Sequence, residues 1–191
     1  HHKFNEHKTV ESVVNRIKAG ETIALISDAG TPGISDPGEE LVKMAYEAGI
    51  EVTSLPGACA CVTALTLSGL STRRFVFEAF LPPDKKEHKL ALERLKNETR
   101  TMIVYEAPHH LLKTLRELLE TLGNRRLTLC RELTKKHETA WQTTIEDAIT
   151  RYEQEDPKGE CVLVIEGRSQ KEIEDEAKAA FEEISIEEHM K

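Results

Sequence analysis

Seven short apolar runs alternate with stretches whose apolar residues recur at helical spacing, and that alternation restricts the chain to an α/β fold. The runs are Thr22–Ile26, Glu51–Leu55, Arg74–Leu81, Thr101–Tyr105, Leu127–Arg131, Ala140–Thr144 and Cys161–Ile165. The helical stretches between them carry their own punctuation. Glu11–Ala19 is closed by Gly20, and Asp36-Pro37-Gly38-Glu39 reads as a capped start for a helix ending at Gly49. Ala58–Ser68 is a small-residue helix before Gly69, and Asp84-x-x-Glu87 opens a helix to about Asn97. Pro108–Leu122 places leucines at 111, 112, 115, 118, 119 and 122 before Gly123, and Thr143-x-x-Glu146 caps a short helix. Beyond Gly167 the charged tail is expected to be helical.

The pattern divides near residue 70. Residues 1–70 read as part of an N-terminal α/β domain, 71–168 as a second α/β domain with about five strands, and 169–191 as a charged tail. Two strands make a marginal layer, and the chain opens on His1-His2, so the N-terminal domain is expected to be incomplete. No apolar run approaches the roughly 18 to 20 residues of a membrane span. No basic-then-apolar leader pattern opens the chain either, so a cytoplasmic protein with no membrane partner is expected.

Charge is distributed unevenly. Overall it is −8, yet residues 71–137 hold 15 basic and 9 acidic side chains, net +6. A basic island in an acidic chain suits a polyanionic partner. Lys85 and Lys86 lie in the first turn of an expected helix, the unfavourable end for cations, which is easier to understand if they serve a ligand. Arg73, Arg74, Lys85, Lys86, Arg125, Arg126, Lys135 and Lys136 are the candidate contacts, with scatter over solvated faces as the alternative.

The four cysteines, Cys59, Cys61, Cys130 and Cys161, have neither disulfide nor zinc spacing and read as free thiols of a reducing compartment. No metal-ligand spacing is present, and adjacent His109 and His110 are expected on different helix faces, so no metal is assigned.

Four segments follow strand ends, where ligands bind in open α/β sheets. Ser27–Gly38 has glycines that admit a ligand to the backbone and Asp28 as a hydrogen-bonding carboxylate; a tight connection is the alternative. Leu55-Pro56-Gly57-Ala58-Cys59-Ala60 is a turn into a small-residue helix, suited to a ligand or to close packing. Tyr105-Glu106-Ala107-Pro108-His109 and Arg131–Glu138 place charged residues just past buried strands.

Together, Ser27-Asp-Ala-Gly-Thr-Pro-Gly-Ile-Ser-Asp-Pro-Gly38, Leu55-Pro-Gly57, Tyr105-Glu-Ala-Pro-His109, Cys130-Arg-Glu-Leu-Thr-Lys135 and Gly159–Gly167 resemble the S-adenosylmethionine-dependent tetrapyrrole methylase superfamily. More narrowly they are similar to its ribosomal RNA branch, whose members methylate a cytidine 2′-hydroxyl in small-subunit RNA. The resemblance covers roughly residues 5–168. It implies two α/β domains with the methyl donor in the cleft between them, and a homodimer. By position the donor site would be Asp28, Ala29, Gly30, Gly33, Ile34, Cys59, Ala60, Glu106, Leu133, Glu160 and Cys161. Cys59 stands where the family usually has Ser, and His110 where the RNA branch usually has Arg. The family's first strand and loop are not matched.

Methyl transfer from a sulfonium is an in-line displacement that needs alignment and no metal. A ribose hydroxyl gains from a proton acceptor, and Glu106, Glu132 and Lys135 are the candidates. Lys135 qualifies only if burial lowers its pKa; otherwise it is a phosphate contact. The expected partner is ribosomal RNA or the small ribosomal subunit. The alternatives are a corrin or protein side-chain methylase of the same fold, or a non-catalytic binding or dimerisation fragment.

Overall fold

The computed structural model describes residues 6–183. Their chain forms two compact units, one ending at Ala60 and the other beginning at Cys61. That division falls at the start of a helix, ahead of the position near residue 70 expected from the sequence.

The first unit holds α1 (Glu6–Lys18) and α2 (Glu39–Glu47). Val10, Val14 and Ala45 are its buried apolar residues. The runs 22–26 and 51–55 are not strands here, correcting the sequence reading. A strand requires a hydrogen-bonded neighbour, and every ladder among the described residues joins strands of the second unit. Ile26 and Leu55 are accordingly 84% and 83% exposed. The helix start also differs. Gly38, at φ 142°, is the N-cap of α2 with no side-chain cap, so Asp36 does not cap it. A side chain at Gly38 would collide with Leu25 Cδ2, 2.5 Å from the Cβ position.

The second unit is built on a five-stranded sheet: β1 (Phe75–Phe80), β2 (Thr101–Glu106), β3 (Arg126–Arg131), β4 (Thr139–Thr144) and β5 (Cys161–Ile165). The strand order is β1-β2-β5-β3-β4. Only β1 and β2 are parallel; the last strand in sequence lies at the centre, antiparallel to β2 and β3. A bulge between Phe77 and Ala79 shifts the β1–β2 register, and Ala79 takes φ 52°.

The connecting helices are α4 (Lys85–Lys96), α5 (Pro108–Leu122) and α6 (Ile145–Tyr152). Leu111, Leu115, Leu118 and Leu122 form the buried stripe of α5. They share one core with Leu92, Leu95, Met102, Val104, Leu127, Leu129, Ile145, Leu163 and Ile165. Each fully buried aliphatic side chain contributes about 1.5–3 kcal/mol, which makes this face the main source of stability. Asp84 caps α4 by accepting from Lys86 N and Glu87 N. Thr144, not Thr143, caps α6 by accepting from Asp147 N at 3.2 Å. The tail helix α7 (Gln170–Glu183) begins in a reciprocal box: Ser169 Oγ accepts from Glu172 N while Glu172 accepts from Ser169 N.

Helix α3 (Ala60–Leu67) is tied to the sheet by polar contacts. Cys61 N donates to Tyr105 Oη at 2.8 Å, and Thr128 Oγ1 donates to Ser68 O at 2.9 Å.

Candidate functional site

In the first unit, the two candidate loops lie against each other. Thr31 N donates to Ala58 O at 2.9 Å. A Cβ on Gly30 would stand 2.7 Å from that same carbonyl, and one on Gly57 would stand 2.8 Å from Thr31 Oγ1. Both glycines are therefore required for close approach of Asp28–Ile34 to Leu55–Ala60. Gly30, Gly33 and Ser35 have positive φ, which turns successive peptide groups away from the α-helical direction. Asp28, Ala29 and Ile34 are exposed, as is Ala60, and Cys59 is half-buried.

In the second unit, three further candidate segments converge at one end of the sheet. Glu106 pairs with Cys161 across β2–β5, and Arg131 pairs with Cys161 across β3–β5. Glu106, Cys161 and Arg131 thus form a row across three strands. Strand alternation sends neighbouring side chains to opposite faces. Tyr105 lies edge-on to Phe77 and Phe80, with ring centroids 5.0 and 5.7 Å apart, and takes the Cys61 N–H. Glu106 turns the other way and is 8% exposed. Its carboxylate accepts from Ala107 N at 2.7 Å and from Thr114 Oγ1 at 2.5 Å. It also lines a groove of about 800 Å³ with Lys85, His88, His110, Thr114 and Glu117.

Just past β3, Glu132 and Thr134 take φ 51° and 62°. Glu132 N donates to Glu160 O at 3.0 Å, and Glu160 N returns a bond to Glu132 Oε1 at 2.9 Å. Lys135 Nζ joins them, 3.1 Å from Glu132 Oε1 and 2.8 Å from Glu160 Oε2. Leu133, next along the chain, is half-buried. The hydrogen bond from Glu160 N, then that from Lys135, lowers the Glu132 pKa; the carboxylates of Glu160 and Glu132 raise that of Lys135. The condition for Lys135 as a proton acceptor is therefore not met. It is an ammonium clamped by two carboxylates.

The basic residues do not form one set. Lys85 and Lys86 follow β1, and Lys135 and Lys136 follow β3, at the Glu106 end of the sheet. Arg73, Arg74 and Arg126 lie at the other end, where β1 and β3 begin. Arg125 leaves the set altogether because it is 8% exposed. It donates to Lys96 O at 2.7 Å, Leu122 O at 3.1 Å, and Glu98 O and Glu166 O at 3.4 Å each. It closes the ends of α4 and α5, with four of its five N–H groups turned to backbone carbonyls. The His109 and His110 rings are 4.2 Å apart, closer than separate helix faces imply, since both are exposed on the first turn of α5 and lean together.

Burial raises Cys130 and Cys161 to about 11, so these thiols are not nucleophiles at neutral pH. No described helix is long and apolar enough to cross a membrane.

A parallel first pair and a central antiparallel fifth strand make the second unit a mixed α/β sheet. The family model for Tetrapyrrole (Corrin/Porphyrin) Methylases matches residues 1–149, and the chain belongs to that family. Within it, the chain is 51% identical over 168 residues to the Ribosomal RNA small subunit methyltransferase I of Synechocystis sp., covering 87% of this chain and 60% of that protein. The Bacillus subtilis protein of the same name is 42% identical over 190 residues, covering 100% of this chain and 65% of that one. The chain thus spans less than two thirds of the length of either relative. Among solved structures, the methyltransferase CobJ superposes with a TM-score of 0.61 at 19% identity, covering 85% of this chain and 71% of that one. A Thermus thermophilus uroporphyrin-III C-methyltransferase complexed with S-adenosylhomocysteine superposes at 0.56 and 16% identity, over 83% of this chain and 73% of that one. These two likenesses are of fold.

Proposed function

We propose that the chain is the methyltransferase portion of an S-adenosylmethionine-dependent enzyme that methylates a cytidine 2′-hydroxyl in small-subunit ribosomal RNA. The observation that carries this reading is the 51% identity, over 87% of the chain, to a protein named for ribosomal RNA small subunit methylation.

The residues fit the donor by chemistry. Its ribose hydroxyls and ammonium match the Asp28 carboxylate, its carboxylate matches backbone N–H groups of the Ala29–Gly33 and Ala58–Ala60 turns, and its apolar surface matches Ile34 and Leu133. Gly33 leaves open space where a side chain would stand. Glu106, Glu160 and Cys161 complete the proposed set. When bound, the donor supplies a methyl group on a sulfonium that leaves as a neutral thioether.

The chain's own residues hold the acceptor and manage its proton. A new C–O bond replaces the C–S bond, and the 2′-hydroxyl proton leaves to a carboxylate or to solvent. Glu106 and Glu132 remain the carboxylates for that step. Lys135 stays an ammonium and meets an RNA phosphate only by exchanging its contact to Glu132 or Glu160. Lys85, Lys86 and Lys136 add positive charge at the same end of the sheet.

We read the protein as a cytoplasmic homodimer, a reading supported by the exposure of Ile26 and Leu55. Light scattering should return twice the 21.5 kDa chain mass; the chain mass alone at micromolar concentration rejects it. The activity test incubates the full chain with donor and purified small ribosomal subunits. Nucleoside mass spectrometry should find new 2′-O-methylcytidine, and finding none in subunits lacking that mark rejects the reading.

A further inference from the structure

A second basic site lies at the end of the sheet remote from Glu106. It is a pocket of about 640 Å³ where β1, β2 and β3 begin and β5 ends. Five arginines line it, Arg73, Arg74, Arg100, Arg126 and Arg168, with Glu166 as the single lining carboxylate. No lysine lines it, whereas the Glu106 end carries Lys85, Lys86, Lys135 and Lys136. The two ends are separated by the length of β2, roughly 17 Å for six residues.

The arginines differ in how far they are already neutralised. Arg100 is held by Glu98 through two bonds of 2.8 and 2.6 Å. Arg168 pairs with Glu176 and donates to Asn97 Oδ1 at 3.0 Å. Arg126 reaches Glu166 only at 3.5 Å. Arg73 and Arg74 are exposed and make no ion pair among the described residues. The site therefore keeps its unneutralised charge on Arg73 and Arg74, both exposed.

Its backbone is firmly placed. Thr101 Oγ1 donates to Ser71 O at 2.7 Å, and Ser68 O accepts from Thr128 Oγ1 and Gln142 Nε2. Those bonds fix the lead-in to Arg73 and Arg74. On the other wall, a side chain at Gly167 would run into Thr99 and Arg100 backbone, and Arg168 N donates to Glu98 O at 2.6 Å.

We infer that this arginine pocket binds the phosphodiester backbone of the RNA substrate at a point separate from the reacting nucleotide. The inference rests on the ribosomal RNA reading above. Guanidinium forks bind phosphate oxygens in pairs, and their weak hydration makes that exchange cheaper than for an ammonium. With Arg100 and Arg168 held by Glu98 and Glu176, the forks of Arg73, Arg74 and the loosely paired Arg126 remain for a run of phosphates. The RNA is thus gripped at both poles of the sheet, with arginines registering the strand and the lysine end receiving the reacting ribose.

The test measures binding of small ribosomal subunits to the full chain across a series of salt concentrations. Arg73→Gln/Arg74→Gln should weaken binding about tenfold at about 0.15 M salt and lower the log–log salt slope by about 1.4, two single-strand phosphate contacts. Donor affinity by calorimetry and the melting temperature should not move, because neither side chain has an ion pair or side-chain hydrogen bond among the described residues. Arg126→Gln, tested independently, should lower the slope by about 0.7. Unchanged affinity and slope in these variants, while the unaltered protein binds subunits, overturn the inference and leave the substrate reading standing. Failure of the unaltered protein to bind subunits overturns both.

Discussion

Gly159 vacates the space that the Glu132 side chain occupies: a Cβ at position 159 would collide with Glu132 Cγ, Cδ and Oε1. Gly159 also takes φ 80°, a region that costs an L-residue about 1–2 kcal/mol. Gly159→Ala should therefore displace Glu132, release Glu160 N and Lys135, and destabilise the protein by about 1–3 kcal/mol. Urea unfolding reads the stability, and calorimetry should show weaker donor binding. Full donor affinity in this variant would separate the Glu132–Glu160 knot from the donor site.

Arg125 is a structural cation. Its removal leaves the carbonyls of Lys96, Leu122, Glu98 and Glu166 without that donor. Burying unpaired carbonyls costs about 1–3 kcal/mol. Arg125→Ala should thus lower unfolding free energy by about 3 kcal/mol, whereas Arg126→Ala should stay within about 0.5 kcal/mol. Equal effects from the two neighbours would reject the assignment.

The Arg100 guanidinium beside Glu98 holds its carboxyl down to about 2, against 4.5 ordinarily. A depressed carboxyl stabilises the fold above its unfolded value and loses that contribution as pH falls from about 4.5 to about 2. Arg100 is 41% exposed, so the contribution is about 1 kcal/mol. Glu98→Gln should lower stability at pH 7 by about that amount and flatten its acid dependence. A pH profile of unfolding parallel to that of the unaltered protein would show that Glu98 carries none of it.

Lys85 and Lys86 sit in the first turn of α4 and are exposed. Lys85→Gln/Lys86→Gln should leave the fold intact or slightly stabilised, because cations are unfavourable at a helix N-terminus. Subunit binding should weaken with a slope about 1.4 lower, while donor affinity holds. An unaltered slope would show that this pair only solvates the helix.

The second unit was legible because its strands are short, mostly apolar segments that pair with one another, Cys161–Ile165 being wholly apolar. Thr22–Ile26 and Glu51–Leu55 carry the same local signature yet form no ladder, since strand character belongs to a pair of segments. The α6 cap slipped by one residue for a different reason. Thr143 and Thr144 each precede an acid three residues on, Glu146 and Asp147, so the pattern fits both. Arg125 and Arg126 were indistinguishable as letters, and only burial separates them. Of the proposed donor positions, Glu106, Glu160 and Cys161 share one sheet end, and the knot of Glu132, Glu160 and Lys135 arises from strand pairing that spacing alone does not reveal.

The central place of β5 sets the order in which this sheet can be completed during synthesis. When residues up to Thr144 have emerged, β1–β2 and β3–β4 can pair, but each pair presents an open inner edge. Only Cys161–Ile165 closes both edges, by bonding to β2 on one side and β3 on the other. Until then the nascent chain carries two unsatisfied strand edges, the surfaces through which incomplete chains aggregate. A chain cut short before Cys161 would be left as two half-sheets, with no strand to join them.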